Sequence, residues 1–473
     1  MKRFAILPLF ASFCSFGSTF QCESEFEWLK STFENNDAGF QYSVEKKGQD
    51  LYSAHNNAIL ARVQSAKNEA QCQTVLSDWL AFFRNGHIGL ALNTNNSNET
   101  VTESKVHDFD LSAFKQHLET KSDESLEGIW QFSSYTVALK KEGNVHEGYI
   151  VESTNPSWKA GQVKFIVNDP EDDNAAKVTF FMGDHSARQI NNMMFLGNNH
   201  VVLGNSFIVM SRQEPRQESS PEVTRYVRLL SAKAPLFKRI SENTVLVRIP
   251  SFNHAFKKDI DALIAKHLDK ILKTENLIID IRGNGGGSDA SYASLLPILY
   301  TNPIRTVGVE YLSTELNNFR MLGFLQNPHF SEEEKQWAKD GYDILQQHIG
   351  SYINIGEDVT VEKFDKIEPL PKSIGVFVDS SNGSTAEQFL LAAKQSKKVK
   401  LFGQTTAGVL DISNMYKTDS PSGAFTLHYS LTKSLRIPHM AIDGVGIQPD
   451  YYIDEEIPIY EWTSYTQKIL EGM

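Results

Sequence analysis

Hydrophobic and polar positions follow different patterns along the chain, and each pattern predicts a different kind of structure. Over residues 20–120, apolar side chains recur every three or four positions, as in Phe26, Leu29 and Phe33, which is typical of amphipathic helices. Over residues 121–232, short alternating runs such as YTVALKK and KVTFFMG are separated by Gly, Asn, Asp and Pro. We therefore predict an N-terminal helical region followed by a small β-rich domain.

Residues 233–473 show a third pattern, in which strand-like and helix-like segments alternate. The segments NTVLVRIPSF, NLIIDIR and SIGVFVD are typical of strands, and DIDALIAKHLDKIL, SYASLLPILY and TAEQFLLAAKQS are typical of helices. Such alternation predicts an α/β core with a mostly parallel sheet, whose functional loops lie at the carboxyl ends of the strands. The polar segment SRQEPRQESSPEV at 211–223 is predicted to be an exposed connection into this core.

One predicted strand end carries a glycine-rich loop. The apolar run Leu277–Ile281 leads into Gly283-Asn-Gly-Gly-Gly287, where glycines allow backbone N–H groups to approach a phosphate or an oxyanion. The dinucleotide-binding fingerprint is absent because Ser288 stands at its third glycine, and the phosphate-binding Gly-Lys-Ser/Thr ending is absent too. A purely structural tight turn is the alternative to an oxyanion site.

A second predicted strand end carries the serine-rich turn Val378–Phe389, VDSSNGSTAEQF. Ser384 and Glu387 fit a capping box, in which both side chains would satisfy free amides at the start of a helix. The same position would let the Ser384 hydroxyl act as a nucleophile, since the amides and dipole of a helix N-terminus favour developing negative charge. The α/β-hydrolase elbow G-x-S-x-G is absent, because Asn382 and Ala386 replace its glycines.

Composition and charge narrow the classes of function. The 473 residues are 41% hydrophobic, which is enough for a sizeable core, and 46 basic against 58 acidic residues give a net charge of −12. No basic stripe that could track a phosphate backbone is evident, so we expect no nucleic-acid partner. After the N-terminus, no segment approaches the roughly 20 apolar residues of a transmembrane helix.

The N-terminus and the cysteines indicate an exported protein. Lys2 and Arg3 precede an apolar run and small residues, which predicts a signal peptide over residues 1–19, with a short buried helix as the alternative. An exported chain is exposed to oxidation, so Cys22 and Cys72 are predicted to form a disulfide, although two buried free thiols are the other possibility. We expect a periplasmic or secreted location. Lipid attachment at Cys22 is less well supported, because Ser-Thr-Phe-Gln precedes it.

Three ordered motifs carry a family resemblance over roughly residues 240–455. The segments NLIIDIRGNGGG, VDSSNGSTAEQFLLAAKQSKKVKLFGQTTAG and DGVGIQPD resemble carboxy-terminal processing (tail-specific) proteases, the tricorn core and interphotoreceptor retinoid-binding protein. FFRNGHIGL at 82–90 resembles the segment that precedes the core in the histidine-using branch of this family. The resemblance implies an α/β core of crotonase- or ClpP-like βα layers and a serine peptidase without cofactor or metal.

The resemblance also implies roles for individual residues. It makes Ser384 the nucleophile and gives the oxyanion-binding amides to Thr385, Gly285 and Gly286. The catalytic lysine of the processing proteases would stand at Val409, so a Ser-Lys dyad is disfavoured.

The histidine-using branch implies His87 as general base and Asp443 as the acid that orients it, a pairing that is chemically sound near neutral pH. Two departures are an aspartate where the family uses glutamate, and the absence of a hydroxyl or carboxylate at Asn85 and Gly86.

Alternatives to this assignment remain at the sequence level. His439, His428 or Lys417 could serve as the base instead of His87. The chain could be a non-catalytic member that binds peptides or apolar ligands, or a crotonase-like enzyme acting on an acyl thioester. The β-rich domain occupies the position where many relatives carry a peptide-binding PDZ domain. We expect a protein or peptide substrate, and the oligomeric state is left open.

Overall fold

The computed structural model describes residues 20–93, 106–121, 125–168, 177–204, 208–328 and 330–472. The predicted signal peptide at 1–19 lies outside these ranges. The α-helices are α1 (Cys22–Asn36), α2 (Phe40–Lys47), α3 (Gln49–Val63), α4 (Glu69–Ala81), α5 (Leu111–Leu118), α6 (Pro221–Leu230), α7 (Lys257–Ile271), α8 (Leu296–Leu299), α9 (Glu315–Leu325), α10 (Glu332–Gln346), α11 (Thr385–Ala393) and α12 (Trp462–Gly472). Short 3-10 helices cover His254–Phe256 and Asp289–Leu295.

The strands follow in chain order. They are β1 (Gly89–Leu92), β2 (Gly128–Phe132), β3 (Tyr135–Glu142), β4 (Val145–Ser153), β5 (Val163–Asn168), β6 (Val178–Phe181), β7 (Ala187–Ile190), β8 (Met193–Leu196), β9 (His200–Leu203), β10 (Ile208–Glu214), β11 (Leu236–Arg239), β12 (Thr244–Arg248), β13 (Asn276–Asp280), β14 (Ile304–Val307), β15 (Val309–Leu312), β16 (Tyr352–Ile353), β17 (Val359–Glu362), β18 (Ser373–Val378), β19 (Val399–Gly403), β20 (Ile412–Asp419), β21 (Phe425–Ser434) and β22 (Tyr451–Tyr452). Within the described ranges, no helix is both long and apolar enough to cross a membrane.

The chain divides into two compact units by its internal packing. The first unit is Met1–Asn96, Tyr311–Ile355 and Asn414–Lys433, and the second is Ser97–Glu310, Gly356–Ser413 and Ser434–Met473. The domain boundaries predicted at residues 120 and 232 come from sequence patterns and not from internal packing, so they stay predictions.

The first unit packs α1–α4 around one aromatic-rich core. Phe26, Phe33, Trp79 and Phe83 are almost fully buried, and Trp79 contacts each of the other three rings. The apolar positions spaced three or four residues apart therefore form the core faces of these helices, as expected for amphipathic helices.

The predicted Cys22–Cys72 disulfide is present in this unit and joins the start of α1 to α4. Its two cysteines are 50 residues apart in the sequence, so the bond closes a long loop in the unfolded chain. We expect reduction to lower the free energy of unfolding by about 3 to 4 kcal/mol according to the loop-entropy model.

Calorimetry with and without reductant tests this expectation. The double variant Cys22→Ala/Cys72→Ala should melt like the reduced protein and should not respond to reductant. Equal melting temperatures of oxidised and reduced wild-type protein would contradict the prediction.

The second unit contains the β-rich domain as one nine-stranded antiparallel sheet, in the order β7-β6-β5-β4-β3-β2-β10-β9-β8. Trp130, Val137, Phe165 and Val178 lie in its core and are fully buried. A small β-rich domain was predicted for this part of the chain, whereas its relation to PDZ domains stays a prediction.

The α/β core of the second unit is built on a six-stranded sheet, in the order β11-β12-β13-β18-β19-β22. Strand β11 pairs antiparallel with β12, and the remaining neighbours pair in parallel. In β13, Leu277 and Ile279 face one hydrophobic cluster and Ile278 faces another, because successive side chains of a strand point to opposite faces. Both faces are covered, which explains the continuous apolar runs of these strands.

Candidate active site

The glycine-rich loop and the serine turn lie at the same edge of the parallel sheet. Strands β13 and β18 are neighbours, with Asn276 opposite Ser373 and Asp280 opposite Phe377. Parallel neighbours end on the same side, so the segments that follow the two strands are brought together, as the alternating pattern of the sequence predicted.

Side chains of the serine turn bind the glycine loop directly. Asp379 accepts a hydrogen bond of 2.8 Å from the amide of Gly283. The fully buried Asn382 donates to the carbonyl oxygens of Ile281 at 2.6 Å and Asn284 at 3.0 Å. Buried hydrogen bonds of this kind hold the two loops in a fixed arrangement.

Ser384 stands immediately before α11 in a strained backbone conformation. Its φ of 55° and ψ of −128° lie in a region that non-glycine residues rarely adopt, and its side chain makes no capping hydrogen bond. The capping role considered for Ser384 is therefore wrong. Strain of this kind clusters at active sites, where it aims a side chain.

Glu387, the other half of the suspected capping box, binds a different segment. Its buried carboxylate accepts hydrogen bonds from the Thr406 hydroxyl, from the Gly408 amide at 2.7 Å and from the Val409 amide at 2.9 Å. Burial raises the pKa of Glu387. This carboxylate thus fixes the segment 406–409 to α11.

Val409 occupies the position that carries lysine in the processing branch, and it contacts the serine turn. Its carbonyl oxygen accepts a hydrogen bond of 3.2 Å from the Ser384 amide, and its Cγ2 packs against Gly383. An apolar side chain therefore stands beside the Ser384 backbone at this position.

The amides expected to bind an oxyanion differ in their hydrogen bonding. The Gly286 amide donates to the Asn284 side chain at 2.9 Å, so it is already engaged. Within the described ranges, no protein group accepts from the amides of Gly285 or Thr385. A methyl group on Gly286 would lie 2.9 Å from both the Ser384 Cβ and the Thr385 nitrogen, so the glycine loop runs directly against the serine turn.

His87 lies in the first unit and is held by its backbone. It has a φ of 54°, and its carbonyl oxygen accepts hydrogen bonds from Arg84 Nη2 at 2.8 Å and from Ser430 Oγ at 2.9 Å. Arg84 Nε also donates to the carbonyl of Gly86 at 3.0 Å. The two peptide groups that flank the His87 Cα are therefore both held by hydrogen bonds.

Arg84 is itself fixed by a buried ion pair. Its two terminal nitrogens contact the two carboxylate oxygens of Asp37 at 2.7 and 2.6 Å, and Asp37 is 1% exposed. Asp37 also accepts from the amides of Gly39 and Ser430. This bidentate, fully hydrogen-bonded geometry offsets the cost of burying the charges.

Asp443 lies in the second unit and binds a turn of backbone. Its Oδ1 accepts from the amides of Leu410 at 2.7 Å and Asp411 at 2.6 Å, and its Oδ2 accepts from Ile412 at 3.1 Å. Burial raises the pKa of Asp443, and the adjacent Asp411 carboxylate raises it further. A carboxylate has about four acceptor positions, so one remains for a further donor.

The alternative bases are placed as follows. His439 is exposed in the second unit, Lys417 is exposed in the first, and His428 is half-buried opposite Gly89. His87 and Ser384 belong to different units, so their pairing, and its orientation by Asp443, stays a prediction.

Both strand-end loops lie within a segment that matches a known protein family. The sequence profile of peptidase family S41 matches residues 243–453. The chain carries an S41 peptidase domain. The resemblance to carboxy-terminal processing proteases is thereby confirmed. The S41 domain includes the glycine loop, Ser384 and Asp443, whereas His87 lies outside the matched residues.

One protein sequence and two solved structures are reported as similar to this chain. An uncharacterized protein of Chlamydia muridarum (strain MoPn / Nigg) is 25% identical over 268 residues, which is 48% of this chain but only 44% of that protein. The structure of mature CPAF complexed with lactacystin has a TM-score of 0.50 and 13% identity, covering 95% of this chain and 98% of that one. Mature CPAF alone gives 0.50 and 14%, covering 95% and 97%. These structures support an α/β peptidase fold.

Several residues that hold the candidate site residues of each unit in place were not found from the sequence. Asp37 is 47 residues from Arg84, and no local pattern links them. Asn382 and Asn284 stand inside the quoted motifs, but a buried amide that joins two loops has no sequence signature of its own. In the described part of the chain, no group of three or more His, Cys, Asp or Glu side chains could hold a metal ion.

Proposed function

We propose that the chain is a serine endopeptidase that cleaves peptide bonds through an acyl-enzyme on Ser384. The observation that carries the proposal is the uncapped, strained Ser384 at the start of α11, beside the unengaged amides of Thr385 and Gly285. A nucleophile next to amides with no internal acceptor is the arrangement that acyl transfer requires.

In this mechanism, the Ser384 hydroxyl oxygen attacks the carbonyl carbon of the substrate while His87 takes the hydroxyl proton. The carbonyl oxygen becomes an oxyanion, which the amides of Thr385 and Gly285 stabilise by donating hydrogen bonds. His87 then gives its proton to the leaving amine, and water hydrolyses the ester by the same steps. Asp443 orients the imidazole through its remaining acceptor position.

Two further observations support the histidine-using branch. Val409 places an isopropyl group where a Ser-Lys enzyme has an amine, so this position offers no base. Arg84 fixes the backbone at His87, which limits the directions that the ring can take. The proposal includes the crotonase- or ClpP-like layering of the core, with the amides at the carboxyl ends of the strands.

We also propose that the protein is exported to the periplasm or secreted. The Cys22–Cys72 disulfide supports this location, because such bonds persist in oxidising compartments.

Labelling with a fluorophosphonate probe tests the nucleophile. We expect one labelled site, on Ser384, and no labelling of Ser384→Ala. Ser380→Ala is the matched control, because Ser380 is an exposed serine of the same turn, and it should label like wild type. A folded protein that does not react with the probe, or that reacts at another serine, contradicts the proposal and favours a non-catalytic binding protein.

A further inference from the structure

A cavity of about 530 Å³ lies between α6 and the strands β9 and β10 of the β-rich sheet, and no residue of the serine turn lines it. Its volume is within the range of small-molecule sites. Three of its side chains are arginines, and the others are a histidine, one valine and neutral polar groups. The lining residues are Asn199, His200, Ser211, Arg212, Gln213, Arg216, Gln217, Ser219, Thr224, Val227, Arg228 and Ser231.

The positive charge of this cavity is not compensated by its own walls. Among the described residues that line it, none is acidic. Arg216 and Arg228 are exposed, and within the described chain neither of them forms an ion pair. Glu214 is adjacent in sequence but pairs with Lys115 at 2.8 Å. Glu218 and Glu222 lie nearby in the sequence but do not line the cavity, so its walls carry only positive charge, which favours an anionic ligand.

Arg212 places a fixed positive charge in the wall of the cavity. It is 5% exposed, and its guanidinium donates to the carbonyl oxygens of Asn198, Glu127 and Ser125 at 2.8 to 2.9 Å. It also packs over the Trp130 ring at 4.3 Å. Its partners are neutral, so the full charge remains, and a buried unneutralised cation attracts an anion more strongly than an exposed one.

Two neighbouring groups, His200 and Lys238, have lowered pKa values, and burial is the larger cause for both. Burial lowers the pKa of His200, and the charge of Arg216 lowers it further. Burial likewise lowers the pKa of Lys238, and Arg225 and Arg228 add to that effect. Burial disfavours a charge of either sign, but the contribution of the arginines shows that the local potential is positive, and a positive potential favours an anion.

We propose that this cavity binds a small polar molecule carrying a phosphoryl or sulfuryl group, with its oxyanion held between Arg216 and Arg228. The planar guanidinium groups match tetrahedral oxyanions, and the hydroxyls of Ser219, Thr224 and Ser231 supply further donors. Val227 is the apolar member of the lining, so the cavity offers little surface for a nucleotide base or for apolar peptide side chains.

Titration calorimetry with inorganic pyrophosphate tests this site at constant ionic strength. The Ser384→Ala protein is used, so that the result is independent of the proposed peptidase activity. We expect saturable binding to one site, with a Kd of about 1 mM or tighter. Arg216→Gln and Arg228→Gln should each weaken binding about tenfold, because each removes one charge-assisted contact.

Arg305→Gln is the matched control, since Arg305 is an exposed arginine of the same unit outside the cavity. It should bind pyrophosphate like the parent protein. Inorganic sulfate should compete if any tetrahedral oxyanion suffices, and failure to compete assigns the site to phosphoryl groups. The proposal is overturned if pyrophosphate shows no saturable binding, or if Arg305→Gln weakens binding as much as the cavity variants do. It is also overturned if an oligoglutamate peptide binds and pyrophosphate does not.

Discussion

Replacing His87 or Ser384 by alanine is expected to reduce peptidase activity by about 10⁴-fold or more, and replacing both should cost little beyond either single change. The reason is that base and nucleophile act as one unit: without the base, the Ser384 hydroxyl keeps its proton, and without Ser384 the base has no proton to remove. Initial rates of peptide hydrolysis for the two single variants and the double variant measure this coupling.

The control for this cycle is His439→Ala, which removes an exposed histidine from the unit that contains Ser384. It should keep most of the activity. Melting temperatures of all variants show whether a loss of rate reflects unfolding. An active His87→Ala enzyme, or a double variant whose loss is the product of the two single losses, would refute the assignment of the base.

Gly286→Ala is expected to reduce turnover by about 10² to 10³-fold, which is the usual cost of losing an oxyanion donor, because the added methyl group would displace the Thr385 amide. The added methyl group would lie 2.7 Å from the carbonyl oxygen of Gly383 and 2.9 Å from both the Ser384 Cβ and the Thr385 nitrogen. These atoms belong to the turn that carries the nucleophile, so the turn must shift. The rate constant kcat should fall more than KM changes.

Gly283→Ala separates this clash from backbone strain. Gly283 has a φ of +72° and Gly286 has a φ of +104°, so an alanine is strained at both positions, but a methyl group on Gly283 meets nothing within 4 Å. We expect both variants to lose about 1 kcal/mol of stability from strain. Gly283→Ala should nevertheless keep activity within about tenfold of wild type, by this steric argument. Equal turnover of Gly286→Ala and Gly283→Ala would contradict the inference that close contact between Gly286 and the serine turn is needed for catalysis.

The placement of the glycine loop and Ser384 could be predicted because it depends on local patterns. Alternating strands and helices specify a parallel sheet, and parallel neighbours bring the loops after β13 and β18 to one edge. The periodicity of residues 20–120 likewise predicted the helices that pack around Trp79. These inferences need no knowledge of contacts between distant residues.

The parts that could not be predicted depend on competition between local and distant partners. Glu387 has the spacing of a capping residue, yet its carboxylate binds the amides of Gly408 and Val409, which lie more than 20 residues away. The Glu387 carboxylate thus accepts hydrogen bonds from the buried amides of a distant segment and not from the amide at the start of its own helix. The contact of Arg84 with Asp37 is of the same kind, because it joins two segments that the sequence pattern treats separately.

The uncapped start of α11 affects the resistance of the protein to heat and to proteolysis. A helix without a side-chain cap is less stable by about 1 kcal/mol than a capped one, and the amide of Thr385 adds an unsatisfied donor in a buried residue. In the proposed mechanism, the resting enzyme gives up this stability so that the donor is free for the substrate, an exchange common at catalytic sites. A covalent inhibitor on Ser384 would place an oxygen at that amide and return the missing hydrogen bond. The inactivated enzyme would therefore outlast the active one under heat or proteolysis.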